Sequence, residues 1–321
     1  MIGTDVDQAV ALLEAEEVVA IPTETVYGLA GNAFSVKAVS GIFEAKNRPS
    51  FDPLIVHVAD KNSIKEVVQN IPKELNTLSR HFMPGPLTLL LPKNEKISDL
   101  VTAGSPLVAI RIPQHPLAKA LLQRLSFPLC APSANPFGYI SPTHAEHVEA
   151  QLGEKIPYIL DGGACEVGVE STIVGMEEGK VTIFRKGGIP VEALEALVGP
   201  VQVKTHSSSN PKAPGMLKSH YAPQKPFVIG DIPLLLQKYN QTTSEKEKKV
   251  GVLSFKQTYS NISAAYQRTL SPMGDLREAA QNLFAAMRYL DEIDVDVIIA
   301  ELLPEEGLGR AMNDRLKRAA V

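Results

Sequence analysis

The sequence is short of the residues that build several common kinds of protein. It holds two cysteines, Cys130 and Cys165, in no CxxC or other metal-binding spacing. That argues against a disulfide scaffold and fits a reduced intracellular setting. Neither sign of charge dominates, with 32 Lys and Arg against 36 Asp and Glu and a formal net charge of −4. Such a balance gives no whole-molecule attraction to nucleic acid, so any basic site has to be local. Aromatic residues make up 6%, and none are interleaved with long basic stripes of the kind that stack single-stranded bases. No apolar run reaches bilayer length, and the N-terminus lacks a basic segment followed by an apolar one. Neither a membrane span nor a signal peptide is expected, and the chain reads as soluble and cytoplasmic. Standard catalytic signatures are also missing: no GxxxxGK[ST], no GxGxxG after a strand, no HExxH and no GxSxG.

What is present is the composition of an ordinary globular protein, 44% apolar and 21% charged over 321 residues. That length exceeds what one core usually needs, so one large or two moderate domains are expected. The first half alternates helical and strand patterns, which predicts an α/β fold. Thr4 is placed to cap a helix reaching Glu16, and Ser35 a second helix carrying Val39, Ile42 and Phe43. Strands are expected at residues 18–21, 54–58, 87–91, 108–112, 158–160, 171–174 and 181–184. Pro116 suits the first turn of a helix, and Thr143 with Glu146 reads as a capping box for another that Gly153 closes. After Val203 the composition turns polar with no periodic apolar face, as in a linker. A second α/β unit follows, with strands at 227–229, 250–255 and 297–300. Its helices are one carrying Leu276, Ala280, Leu283, Met287 and Leu290, and a closing one at 310–320. The polar run at 241–249 separates two of these strands. The expected division is 1–203, a linker over 204–225, and 226–321.

Polar clusters sit at strand ends and in turns, where α/β folds carry their ligand sites. Thr23, Glu24, Thr25 and Tyr27 directly follow a buried strand, although Thr23 or Thr25 could simply start a helix. Lys46 and Arg48 stand one residue apart in a Pro-bounded turn, where two cations can converge on one anion or merely face solvent. His57 falls inside an apolar strand, where its ring needs a partner or a cleft. Ser133, Asn135 and Ser141 lie among small residues and prolines that let a ligand approach the backbone. Ser171 precedes a second cationic pair, Arg185 and Lys186, followed by Gly187-Gly188. Each of these clusters, taken singly, is also what an ordinary loop contains. Arg111 is hardest to explain as packing, because a cation inside a strand is costly unless it meets an anion or sits on an edge strand facing solvent. His144 and His147 lie three apart on a helix with no third metal ligand nearby, and a solvated face is the better reading. Several cations with Ser, Thr and Asn donors suit a small anionic ligand or a nucleotide held without a phosphate loop.

In this order the segments PTETVYGLAG (22–31), KNRP (46–49), DPLIVHV (52–58), PGPLTLLLP (84–92), VAIRIP (108–113), APSANPFGYISPT (131–143), ILDGG (159–163), GVESTIV (168–174) and FRKGGI (184–189) resemble the YrdC/Sua5 family. PGMLKSHYAP (214–223) is similar to the linker of its two-domain Sua5 type, and Gly307 to Leu316 to that type's C-terminal domain. The resemblance implies a YrdC-like twisted open sheet with helices and a smaller Rossmann-like C-terminal domain. It implies a reaction joining L-threonine, bicarbonate and ATP, with Mg²⁺, into threonylcarbamoyl-AMP and pyrophosphate. A downstream tRNA threonylcarbamoyl transferase complex would then modify the adenosine beside the anticodon. By matching motif, Thr25, His57, Arg111, Ala131 and Ser171 would surround threonine, with Arg111 facing its carboxylate. Lys46, Arg48, Asp52, Leu107, Ser133, Asn135, Ser141 and Arg185 would surround the nucleotide. Leu107 and Ala131 can offer only main-chain groups, and Tyr221 of the linker would close over ATP. No nucleophile or general base is nominated. Asn47 and Asp52 depart from the Gly and Asn common in the family; Asn tolerates the same left-handed backbone, whereas Asp52 adds a negative charge beside ATP. A non-catalytic RNA-binding module is the alternative, with weak RNA contact also compatible with the synthase reading. A carbamoyl-transfer enzyme of the hydrogenase-maturation kind would carry acylphosphatase and zinc-finger regions, and neither signature is present.

Overall fold

The computed structural model describes residues 1–49, 51–204, 220–240 and 248–320. Residues 205–219, which include most of the linker and the PGMLKS half of its motif, lie outside the described residues, as does the 241–247 part of the polar run. Two compact units are present, Met1–Phe137 with Ser141–Leu217, and Gly138–Ile140 with Lys218–Val321.

The first unit is a mixed α/β sheet of eleven strands. In chain order they are β1 (Ile2–Gly3), β2 (Val19–Ile21), β3 (Gly28–Asn32), β4 (Ile55–His57), β5 (Leu87–Pro92), β6 (Leu107–Arg111), β7 (Leu129–Cys130), β8 (Tyr158–Leu160), β9 (Thr172–Glu177), β10 (Lys180–Arg185) and β11 (Gln202–Val203). Across the sheet the order is β1-β8-β2-β3-β7-β4-β6-β5-β9-β10-β11. The two-residue period of its strands separates two faces. Val56, Leu89, Val108, Ile110 and Val174 join one large core with Val39 and Ile42 of a helix and Leu75 and Leu78 of another. The alternate residues Ile55, Leu90, Ala109, Ile173 and Phe184 form a smaller, separate cluster. That second face also carries His57, Arg111, Thr88 and Ser171, by the same alternation.

Local capping corrects two readings. The first helix is Val6–Glu14, and its cap is Asp5, not Thr4: the Asp5 carboxylate accepts from the amides of Asp7 and Gln8 at 2.8 and 3.2 Å. No capping box forms ahead of Ala145–Leu152. His144 is the N-cap, with no capping bond from its side chain, and His147 Nδ1 accepts from the Thr143 amide at 3.2 Å. Ser35 does cap Val36–Lys46, accepting from the Ala38 amide at 3.1 Å. Asn47 ends that helix with φ 51°, the left-handed conformation its short polar side chain tolerates. Helices Lys73–Phe82 and Val191–Val198 were not anticipated.

The second unit is an α/β domain on a parallel sheet of β12 (Phe227–Ile229), β13 (Val250–Ser254), β14 (Gln267–Thr269) and β15 (Val297–Ala300), ordered β12-β15-β13-β14. Helices Ile232–Asn240, Leu276–Glu292 and Gly309–Ala319 accompany it, the first of them unanticipated. Leu276–Glu292 buries Ala280, Leu283, Met287 and Leu290 as their spacing predicts, and also Arg288 and Asp291.

Candidate active site

The turn from β2 into β3 is closed by Thr23. Its hydroxyl accepts from the amides of Thr25 and Val26, both at 3.2 Å, and donates to the Val26 carbonyl at 2.6 Å. The segment is therefore a hydroxyl-closed turn, not a helix start. With its own proton spent on Val26, Thr23 accepts from Thr25 Oγ1 at 2.9 Å, and Thr25 Oγ1 in turn accepts from Arg111 Nη1 at 2.7 Å. Tyr27 anchors the other end of the turn: its hydroxyl donates to the Gly163 carbonyl at 2.8 Å and accepts from the Gly162 amide at 3.1 Å.

Arg111 is not an edge residue. β6 lies between β4 and β5, and the Arg111 side chain is 4% exposed. Its anion is Glu24, with Nη2 to Oε1 at 2.8 Å. Glu24 Oε2 accepts from the Gln114 amide at 3.0 Å. Glu24 was not singled out as a site residue, although the requirement that a strand-bound cation meet an anion was the signal that could have found it. His57 stands beside Arg111 in the parallel register of β4 and β6. Burial, and then the Arg111 charge, lower its pKa to about 3. Its Nδ1 lies 3.2 Å from the Ile55 carbonyl, which can only accept, so the proton sits on Nδ1 and Nε2 is left as an acceptor.

One strand further, Ser171 Oγ lies 2.7 Å from Thr88 Oγ1. Arg185 donates to the Ser171 carbonyl from Nε and Nη2 at 3.1 and 3.0 Å, and from Nη2 to Ser171 Oγ at 3.0 Å. Gly187 serves close packing more than flexibility, because a Cβ there would come within 2.2 Å of the Glu170 carbonyl. Ser141 Oγ donates to Glu170 Oε1 at 2.6 Å. Ala131 contributes its amide to the Ile55 carbonyl at 3.0 Å. Leu107 opens β6, at the far end of the strand from Arg111, with its amide donating to Ser105 Oγ at 3.1 Å.

Lys46 and Arg48 do not face solvent. Lys46 Nζ donates to the carbonyls of Ser133 and Asn135, and burial, then the charge of Arg48, hold its pKa well below the ordinary lysine value. Asn135 Nδ2 donates to the Pro136 carbonyl at 2.7 Å. Arg48 donates to the carbonyls of Asp52 and Pro53 at 3.2 and 2.9 Å, and its Nη2 meets Asp52 Oδ2 at 2.9 Å. Burial pushes the Asp52 carboxyl up, against the opposing charges of Arg48, Lys46 and Arg185. These three cations and one carboxylate thus form a single electrostatic group that also includes the Ser171 neighbourhood through Arg185. Tyr221 belongs to the second unit, where it is buried with φ 64°, stacked on Phe284 at 5.6 Å, and has the Arg315 guanidinium 5.2 Å from its ring. His144 and His147 pack edge to face at 4.9 Å, and no metal-binding group of three ligands occurs among the described residues.

Comparison with known proteins matches these residues to two domain models. The Sua5_yciO_yrdC model, described as "Telomere recombination", matches residues 11–187. The Sua5_C model, described as "Threonylcarbamoyl-AMP synthase, C-terminal domain", matches residues 189–321. The chain belongs to the two-domain Sua5 family. Threonylcarbamoyl-AMP synthase of Bacillus subtilis is 44% identical over 318 residues, covering 98% of this chain and 92% of the relative. The Pyrococcus abyssi synthase is 39% identical over 322 residues, covering 97% and 93%. The crystal structure of P. abyssi Sua5 complexed with L-threonine superposes with a TM-score of 0.92 at 38% identity, covering 98% of this chain and 94% of that one. Among the described residues, no helix of this Sua5 family member is long and apolar enough to cross a membrane.

Proposed function

We propose that this protein is a threonylcarbamoyl-AMP synthase whose Thr25, His57, Arg111, Ala131 and Ser171 receive L-threonine. The observation that carries the reading is Arg111: a buried guanidinium beside a threonine hydroxyl and a neutral imidazole, in a chain similar over nearly its whole length to a Sua5 solved with L-threonine. The substrate carboxylate is met by Arg111, and the substrate hydroxyl donates to Nε2 of His57. Lys46, Arg48, Asp52, Leu107, Ser133, Asn135, Ser141, Arg185 and Tyr221 serve ATP.

The amine of threonine combines with bicarbonate to give a carbamate and water. One carbamate oxygen then attacks the α-phosphorus of ATP, forming the mixed anhydride threonylcarbamoyl-AMP and releasing pyrophosphate. No covalent enzyme intermediate is required. The protein's contribution is orientation and the stabilisation of charge growing on the departing pyrophosphate. Lys46, Arg48 and Arg185 supply positive charge, and Mg²⁺ enters as the MgATP substrate, held chiefly by phosphates and water as that ion prefers. Asp52, whose carboxylate is paired with Arg48, accords with a role beside the metal-nucleotide. The product passes to a tRNA threonylcarbamoyl transferase complex in the cytoplasm.

Pyrophosphate release from ATP, Mg²⁺ and bicarbonate tests the reading. It should require L-threonine and no RNA. Release indifferent to threonine would point to another acceptor, and RNA binding without release to a non-catalytic module.

A further inference from the structure

Strand β5 runs Leu-Thr-Leu-Leu-Leu-Pro, and Thr88 is its one residue with a polar side chain. That side chain is fully buried, where a hydroxyl costs stability unless it is bonded. Among the described residues it has a single partner, the Ser171 hydroxyl at 2.7 Å.

Ser171 is also engaged from its other side. Arg185 donates to the Ser171 carbonyl at 3.1 and 3.0 Å, and to Ser171 Oγ at 3.0 Å. A guanidinium can only donate, so Ser171 Oγ accepts from Arg185. Two hydroxyl protons are then left to place, one on each oxygen, and the bond between Thr88 and Ser171 uses one of them. If Ser171 gave its proton to Thr88, the Thr88 proton would be stranded in an otherwise apolar strand. With Thr88 as the donor, Ser171 Oγ accepts twice and keeps its own proton for a ligand. Accepting from a cation and a hydroxyl together polarises the Ser171 O–H and strengthens it as a donor.

The topology sets this group between residues assigned to different substrates. β5 lies between β6, which ends in Arg111, and β9, which Ser171 directly precedes. Arg185 ends β10, and its charge reaches Asp52 as those of Arg48 and Lys46 do. All of these residues belong to the first unit.

We propose that Thr88 is a positioning residue, and that the chain Thr88–Ser171–Arg185 couples the binding of L-threonine to that of ATP. The proposal rests on the assignment of Ser171 to threonine and of Arg185 to ATP. Thr88 itself touches no substrate; it fixes the direction in which the Ser171 proton points. A threonine carboxylate that takes this proton makes Ser171 Oγ a better acceptor for Arg185. The guanidinium is then held where the nucleotide meets it, and its ordering is complete before ATP arrives. Linkage makes the effect reciprocal, so ATP tightens threonine binding by the same factor.

Titration calorimetry on the full chain tests this. The ligands are L-threonine and the α,β-methylene analogue of ATP with Mg²⁺, each alone and in the presence of the other, without bicarbonate so that nothing turns over. In the wild type each ligand should bind about fivefold or more tightly when the other is present. Thr88→Val keeps the shape and removes the donor, and the factor should fall to within about twofold of independence. Thr88→Ser retains a hydroxyl and should restore it. Thr88→Val with the wild-type coupling would overturn the proposal, whatever the change in melting temperature. A wild type that binds both ligands independently would overturn it while leaving the synthase reading in place. A wild type that binds neither ligand would overturn both.

Discussion

Glu24 and Arg111 meet at 2.8 Å inside the first unit, each with 4% of its side chain exposed. The cation assigned to the threonine carboxylate is therefore neutralised from within before any substrate is present. Neither Glu24 Oε1 nor Arg111 Nη2 has an aligned hydrogen bond. Their contact is an ion pair with unused hydrogen-bonding capacity, and the guanidinium can take a second carboxylate without first losing the one it has.

Removing one partner of such a pair leaves a buried, uncompensated charge. Glu24→Ala should destabilise the protein by about 3–5 kcal/mol, read from the urea midpoint at constant m. Adding Arg111→Met to Glu24→Ala should restore part of that loss. A single Glu24→Ala variant as stable as the wild type would mean that Arg111 finds its compensation elsewhere.

Asn47 closes its helix at φ 51°. A β-branched residue cannot adopt that conformation without strain, so Asn47→Val should cost about 1–2 kcal/mol. Asn47→Gly should leave thermal stability nearly unchanged, since glycine is at home there. Equal losses for the two substitutions would shift the explanation from the backbone to the Asn47 side chain.

His57 has a folded pKa of about 3, below its ordinary 6.5. Between those values the unfolded chain binds the proton and the folded one does not, so this residue's contribution to stability is complete above 6.5 and is lost as pH falls toward 3. The stability gap between wild type and His57→Gln should narrow steadily over that range. A gap constant from pH 7 to pH 4 would contradict a buried neutral ring.

Asp52 runs the opposite way. Its folded pKa is raised above 3.8 by burial, so its favourable contribution exists only below 3.8 and is lost as pH rises through the folded value. Asp52→Asn should therefore gain stability relative to wild type on going from pH 3.5 to pH 7. A relative loss over that range would show that Arg48 and Lys46 outweigh the burial cost.

Much of this arrangement is legible in one dimension because it follows from local rules. The strand ends carrying His57, Arg111 and Ser171 follow from two-residue alternation, and the Ser35 cap and the Asn47 turn from side-chain chemistry within one helical turn. What escapes is non-local. Asp5 takes the cap that Thr4 was expected to supply, because the chain enters the helix one residue later. The Thr143–Glu146 box loses to His147, which reaches the Thr143 amide first. Glu24 looked like part of a polar turn until a strand far along the chain placed Arg111 against it. Lys46 and Arg48 read as a solvated or phosphate-binding turn, and only the fold shows Lys46 buried on the carbonyls of Ser133 and Asn135 and Arg48 on those of Asp52 and Pro53.

The most direct test of the central claim is pyrophosphate release by the purified chain with ATP, Mg²⁺ and bicarbonate, with and without L-threonine, for the wild type and for Arg111→Ala. Losing a preorganised charged contact costs on the order of 100-fold or more. The account expects release that depends on threonine and falls by that order in Arg111→Ala. Threonine-dependent release that survives the loss of Arg111 would contradict it.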